Sequence, residues 1–234
     1  MMKRFFLGII PARGGSKGIP QKNIIMIKNF PLIYYTIKAA KDSKLLDDFI
    51  VSTEDKKIVS LSIKFGGKVF QLRPRYLAQD RTPTIDVVKH EVEMYKKKSG
   101  IKVTDIVILQ PTSPLRNEED IDNAINIYLS QNTKSLISVS ESLHSHPYYM
   151  YKEADNNRLV PLYSKNIVPR KNLPPIFIRN GAIYITNVSL IKRGKLITNR
   201  PSFYVMPEER SINLDTPKDL ITLEAMLNIN DKIK

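Results

Sequence analysis

The sequence predicts an α/β protein, a three-layer α/β/α sandwich built on a mainly parallel sheet. Short apolar runs alternate with helical patterns from the N-terminus to about residue 140. The first run, FFLGIIP at 5–11, is apolar on both faces, as expected of a strand covered by helices on each side. The chain has 234 residues, 42% of them hydrophobic, which suits one large domain with a proper core.

The elements follow in order. After the first strand, 31–43 carries helical spacing, with Ile33, Ile37 and Ala40 on one face and Pro31 where a first turn tolerates it. Strand 48–53 precedes a helix closed by Gly66 and Gly67, and KVFQL at 68–72 reads as a third strand. A helix over 84–100 ends at Gly100, strand 104–110 follows, and the helix at 117–132 opens with acids suited to its dipole. Strand 134–141 completes the alternation. Residues 141–175 then break the rhythm with prolines, tyrosines and scattered charges, and read as a hairpin-rich lobe on a single domain spanning 1–234. Strands at 181–186 and 202–206 and a last helix at 216–229 return to the core. In such sheets the loops beyond the carboxyl ends of the strands bind ligands, so those after Pro11, Ser52, Leu72 and Gln110 are expected to converge.

Charge narrows the partners. The formal net charge is +14, which favours anions: phosphorylated small molecules, nucleic acid or an anionic membrane. No RNP-type aromatic motif, zinc-finger spacing or arginine tract supports nucleic acid. Cysteine is absent, so neither a disulfide framework nor a thiolate metal site can form, which suits a cytoplasmic location. The apolar run at 5–10 is short and meets Pro11 and Arg13 without a cleavage pattern, and no segment reaches transmembrane length.

The loop IIPARGGSKGIPQKN at 9–23 holds the strongest chemical signal. It is neither a Walker loop nor a dinucleotide fingerprint. Its residues still suit phosphate: Gly14 and Gly15 allow close backbone approach, Ser16 offers a hydroxyl, Arg13 a planar fork, and Lys17 and Lys22 point charges. His90 has no ligand-spaced partner, and His144 and His146 read as surface residues.

The loop resembles the N-terminal signature of the CMP-sugar-acid synthetases, the acylneuraminate cytidylyltransferases. Four further segments match in order: LRPRYLAQDRTPTIDVV, LQPTSPLR, IRNGAIYI and SINLDTPKDL. The resemblance implies a Rossmann-like sandwich working as a homodimer, with 141–175 as the dimerisation lobe. It implies transfer of CMP from CTP to a nonulosonic, sialic-acid-like sugar acid with release of diphosphate. Arg13, Gly14, Ser16, Lys22 and Asn23 would then hold the nucleotide, and Arg73, Thr82 and Thr84 the cytosine end. Gln110, Arg170, Asn180 and Tyr184 would line the sugar pocket. Asp215 would hold Mg²⁺ and, with Lys22 and Arg13, form the catalytic set.

Local chemistry overlaps some of these roles: Thr84 could cap the helix beginning at Ile85, and Thr216 with Asp219 forms a capping pattern. Two departures from the family fall at the sugar end. Ile178 stands where the family has a second arginine, with Arg179 shifted by one, and KLIT at 195–198 replaces an aromatic pair. They favour a legionaminic-type sugar over N-acetylneuraminate. A third departure is Asn213, where the family commonly has the first acid of Asp-x-Asp. The alternatives are a CMP-KDO synthetase and a non-catalytic basic protein that binds nucleotides or nucleic acid.

Overall fold

The computed structural model describes residues 3–142, 145–163, 169 and 172–233. In chain order its strands are β1 (Phe6–Pro11), β2 (Met26–Ile27), β3 (Phe30–Pro31), β4 (Asp48–Ser52), β5 (Asp105–Leu109), β6 (Ser135–Glu141), β7 (Tyr151–Ala154), β8 (Arg158–Pro161), β9 (Phe177–Asn187) and β10 (Ser202–Val205). The helices are α1 (Leu32–Asp42), α2 (Lys56–Lys64), α3 (Thr84–Ser99), α4 (Glu118–Ser130), α5 (Val188–Lys192) and α6 (Pro217–Ile233).

One sheet runs in the order β10-β6-β9-β5-β1-β4. β1 pairs in parallel with β4 and β5, and β10 with β6, while β9 runs antiparallel to both of its neighbours. The alternation of β1 explains the layering. Phe6 and Ile10 pack against residues of α1, α2 and α4 on one face. Leu7 and Ile9 pack against Val88 and Tyr95 of α3 and Ile191 of α5 on the other. A third cluster joins Ile19 and Ile27 to Leu32 of α1, Leu214 and Leu223 of α6, so the first loop is seated on its own apolar base.

The predicted strand at 68–72 is not one. Residue Lys68 accepts from Val51 N at 2.7 Å and Arg73 N donates to Thr53 O at 2.8 Å, but no ladder runs between these two points. Val69 packs on one core and Phe70 on the other, which is the side-chain alternation of a strand without its hydrogen bonds. β9 is longer than the predicted 181–186 and is reversed, and the short α5 after it carries Asn187 as its cap. His146 is buried rather than a surface residue: its ring meets Pro174 O at 3.1 Å and accepts from Tyr148 N. Arg170 and His144 lie outside the described residues.

Buried carboxylates tie elements together. Asp120, in the capping box of α4, accepts from Arg210 Nε and Nη2 at 3.1 and 2.7 Å and from Tyr204 Oη at 2.8 Å. This anchors the turn that leads to Asn213 and Asp215. Within the lobe, β7 and β8 form a separate two-stranded sheet turned by Asn156 and Asn157, both in the left-handed region. No described helix is long and apolar enough to cross a membrane.

Glu91 on α3 is buried, and Ser52 Oγ donates to it at 2.6 Å. Burial raises its pKa above the ordinary 4.5, with Ser52 opposing. The folded protein therefore holds this proton more tightly than the unfolded chain. The contribution favours folding below the unfolded value and is lost as pH rises through the folded one. Glu91→Gln is expected to flatten the stability curve above pH 4.5. Urea midpoints across pH 4 to 8 would check this, and a variant that keeps the wild-type slope would contradict it.

Candidate active site

A pocket of about 500 Å³ opens at the carboxyl ends of β1 and β5. Its walls come from four places in the chain: Arg13, Ser16, Lys17, Gly18, Lys22 and Asn23 from the first loop, Arg73 at the end of the segment that follows α2, Thr82 and Thr84 at the start of α3, and Gln110 and Thr112 after β5. Asp215 closes it from the segment before α6. Of the four loops expected to converge, those after Pro11, Leu72 and Gln110 line the pocket, while that after Ser52 reaches it only through Glu54, which accepts from Arg73; the site lies where open α/β sheets bind ligands.

The first loop is braced from within. Asn23 Nδ2 donates to Arg13 O at 2.8 Å, and Ser16 Oγ donates to Ile19 O while accepting from Lys22 N. Gln21 sits in the left-handed region at φ 51°. The loop passes so close to the last segment that a β-carbon on Gly18 would lie 2.3 Å from Asp215 O. That contact brings Lys22 to Asp215: Nζ donates to Asp215 Oδ1 at 2.9 Å and to Leu214 O at 2.8 Å. The other carboxylate oxygen of Asp215 accepts from Asn213 Nδ2.

Two acids that sequence reasoning did not single out balance the remaining cations. Asp80 accepts from Arg13 Nη1 at 2.7 Å and pairs with Lys17 Nζ at 2.7 Å. The lysine contact first, then Arg13, holds its carboxyl below the usual range. Glu54 accepts from Gly14 N at 2.7 Å and from the buried Arg73 Nη2 at 2.9 Å. The Gly14 N–H thus faces the loop after β4, and Gly14 itself does not line the pocket. The only sequence signal for either acid was its position in a loop leaving the same end of the sheet as Arg13.

Thr84 does not cap α3: it is the first helical residue, Pro83 precedes it, and no side chain caps that end. It lines the pocket instead, as does Thr82, whose hydroxyl donates to Tyr76 O. The capping reading of Thr216 and Asp219 holds, with Thr216 N donating to Asp219 Oδ2 at 2.7 Å. Gln110 reaches the pocket, and its Oε1 lies with Tyr184 Oη beside Gly181. Burial raises the pKa of Tyr184, with the charge of Arg179 opposing that rise. Neither Tyr184 nor Asn180 is on the wall of this pocket; Asn180 is buried, and its amide meets Ser138, Ser211 and Met206 Sδ.

For a metal, the described residues offer no cluster of three acidic, histidine or cysteine ligands. Asp215 is a half-exposed carboxylate on the pocket wall, and Asp80, the other one there, is paired with Arg13 and Lys17. That donor set fits Mg²⁺ drawing its other oxygens from substrate phosphates and water, and does not fit an all-protein cage.

A cationic loop leaving the first strand of a mainly parallel sheet, opening on a pocket at the strand ends, defines a nucleotide-binding α/β protein. Residues 7–206 match the family model described as cytidylyltransferase, and the chain belongs to that family. It is a nucleotidyltransferase. The chain is 32% identical over 230 residues to the CMP-N,N'-diacetyllegionaminic acid synthase of Legionella pneumophila, covering 97% of each protein. It is 33% identical over 217 residues to the N-acylneuraminate cytidylyltransferase of Streptococcus agalactiae, covering 91% of this chain and 51% of that one. Among solved structures it resembles a CMP:2-keto-3-deoxy-manno-octonic acid synthetase complexed with CTP, at TM-score 0.72 and 15% identity over 97% of this chain and 99% of that one. That likeness speaks for the fold alone.

Gly18→Ala tests the close contact. With the new β-carbon 2.3 Å from Asp215 O, the loop and the last segment must separate. The expected cost is about 1–3 kcal/mol of stability, with weaker CTP binding. Thermal unfolding and calorimetric titration with CTP would measure both, and an unchanged variant would disprove the contact.

Proposed function

We propose that the protein transfers CMP from CTP to the anomeric hydroxyl of a nonulosonic sugar acid and releases diphosphate. The observation that carries this reading is one pocket uniting Arg13, Lys22, Arg73, Gln110 and Asp215 in a cytidylyltransferase. In this reading the anomeric oxygen attacks the α-phosphorus in line, the bond to the diphosphate oxygen breaks, and the hydroxyl proton leaves to solvent.

Each residue of the proposed site has a part. Arg13 and Lys22 face the triphosphate and neutralise charge as the leaving group departs. Arg73, held by Glu54, and the threonines at the start of α3 bind the cytosine end. Gln110 and Tyr184 hold the sugar acid, joined by Arg170 as the family resemblance implies. Asp215 holds Mg²⁺, which supplies further charge neutralisation at the phosphates when bound. Before any nucleotide arrives, Asp80 and Asp215 occupy the cations that the phosphates then take over.

A legionaminic-type acid is the favoured acceptor. Ile178, the KLIT segment and the similarity to a legionaminic acid synthase all support it. N-acetylneuraminate is the main competitor, because the Streptococcus agalactiae N-acylneuraminate cytidylyltransferase is 33% identical over 217 residues; pseudaminic acid is another, since a Campylobacter jejuni pseudaminic acid cytidylyltransferase is 28% identical over 226 residues. We also propose a homodimer formed through the lobe. Tyr151, Leu159, Leu162 and Tyr163 of the β7–β8 region are exposed, an arrangement suited to burial against a second copy.

Diphosphate release measured with CTP, Mg²⁺ and a panel of nonulosonic acids tests the activity. Turnover is expected with a legionaminic-type acid, and Lys22→Ala is expected to lose about 10²–10³ in kcat. Silence across the panel, or a Lys22→Ala variant as fast as wild type, would refute the assignment. Sedimentation should give twice the mass of one chain, shifting towards one when Leu159 and Leu162 become aspartate. A monomeric wild type would rule out the dimer.

A further inference from the structure

Arg116 ends the loop that begins at Gln110, and it is only 2% exposed. Its Nη1 donates to two carbonyls, Gln110 O and Ala182 O, each at 3.1 Å. These two residues belong to different strands. The last pair in the β5–β9 ladder is Leu109 with Ile183, so Gln110 and Ala182 would form the next. Arg116 takes over where the ladder stops, and it bonds both sides of the fork.

The other edge of β9 is irregular at the same place. Its register with β6 moves from Ile137–Tyr184 to Val139–Arg179, leaving residues 180–183 opposite Ser138 alone. Ser138 Oγ donates to Asn180 Oδ1 at 2.6 Å and accepts from Ile183 N at 2.8 Å. Gly181 within this bulge has φ +79°, a conformation that L side chains rarely adopt. Its bare side faces Gln110 Oε1 and Tyr184 Oη, 3.7 and 3.9 Å from where a β-carbon would be.

We propose that Arg116 is a positioning residue for the acceptor end of the site: by bonding both arms of the β5–β9 fork it fixes Gln110 and Tyr184 about Gly181. This rests on the reading that those two residues hold the sugar acid. Stability alone does not account for such a group, because two carbonyl bonds compensate weakly for burying a guanidinium. Burial lowers its pKa to about 10, so it remains charged at neutral pH, in the favourable field of Asp120. Among the described residues Nε and Nη2 find no hydrogen-bond partner, so the bonds its head makes there are to the two carbonyls of the fork. A lysine would keep the charge but lose the rigid planar head.

Arg116→Lys and Arg116→Met would be compared with wild type in the full-length protein. The KM for the sugar acid is expected to rise about tenfold or more, as for a misplaced binding group, with the KM for CTP within about twofold of wild type. Hydrogen–deuterium exchange should quicken over 106–116 and 177–187 and not over 12–24. If both KM values rise together, or neither moves, Arg116 has no specific link to the acceptor. Unchanged exchange at the fork would overturn the proposal whatever the kinetics. Should Arg116→Met not fold, Arg116→Lys decides alone. A wild type that accepts no nonulosonic acid would refute the assigned substrate, while the exchange comparison would still decide whether Arg116 locks the fork.

Discussion

The site depends on holding several cations together before any anion arrives. Arg13, Lys17, Lys22 and Arg73 all serve one pocket, and unpaired they would repel one another. Each is met by a carboxylate from another part of the chain: Asp80 for Arg13 and Lys17, Asp215 for Lys22, Glu54 for Arg73. These pairs do more than lower the repulsion. Arg13 and Lys22 flank a loop that crosses from β1 to α1, and their acids come from the approach to α3 and from the approach to α6. The charge pairs therefore set the spacing of the pocket walls. The apolar seat under the loop, with Ile19 against Leu214 and Leu223, keeps that spacing when the acids let go.

Much of this was legible in the sequence, for physical reasons. A strand covered on both faces must be apolar throughout, so β1 and β5 announced themselves. Gly100 marked the end of α3, and the acids of its first turn marked the start of α4. The first loop was readable because little except an anion explains so many cations among so many small residues. Direction was not readable: the two-residue period of β9 is the same whichever way it runs. Nor was the missing ladder at 68–72, since Val69 and Phe70 alternate as in a strand and only the backbone partners are lacking. Glu54 and Asp80 escaped notice because an acid in a loop looks like ordinary surface until its partner is seen. Nor did the sequence show the bonds of Asn180, whose amide accepts from Ser138 at the bulge and donates to Ser211.

The two ends of the pocket are built differently. Around Arg13, Lys22 and Asp215, long side chains reach across from separate loops and meet in ion pairs. Around Gln110 and Tyr184, the groups sit on or beside sheet strands, and their places are set by backbone register. Asn213 belongs with the first kind. It donates to Asp215 and so orients that carboxylate without adding a second negative charge.

The reversed strand has a consequence for how the chain is made. β9 fills the slot between β5 and β6, yet it is separated from β6 by the whole lobe. Until residues 177–187 leave the ribosome, β5 and β6 each present an open edge, with no neighbour to satisfy either. The nascent chain must therefore carry two sticky hydrogen-bonding borders through the synthesis of more than thirty intervening residues, and this is the interval in which chaperone shielding would matter.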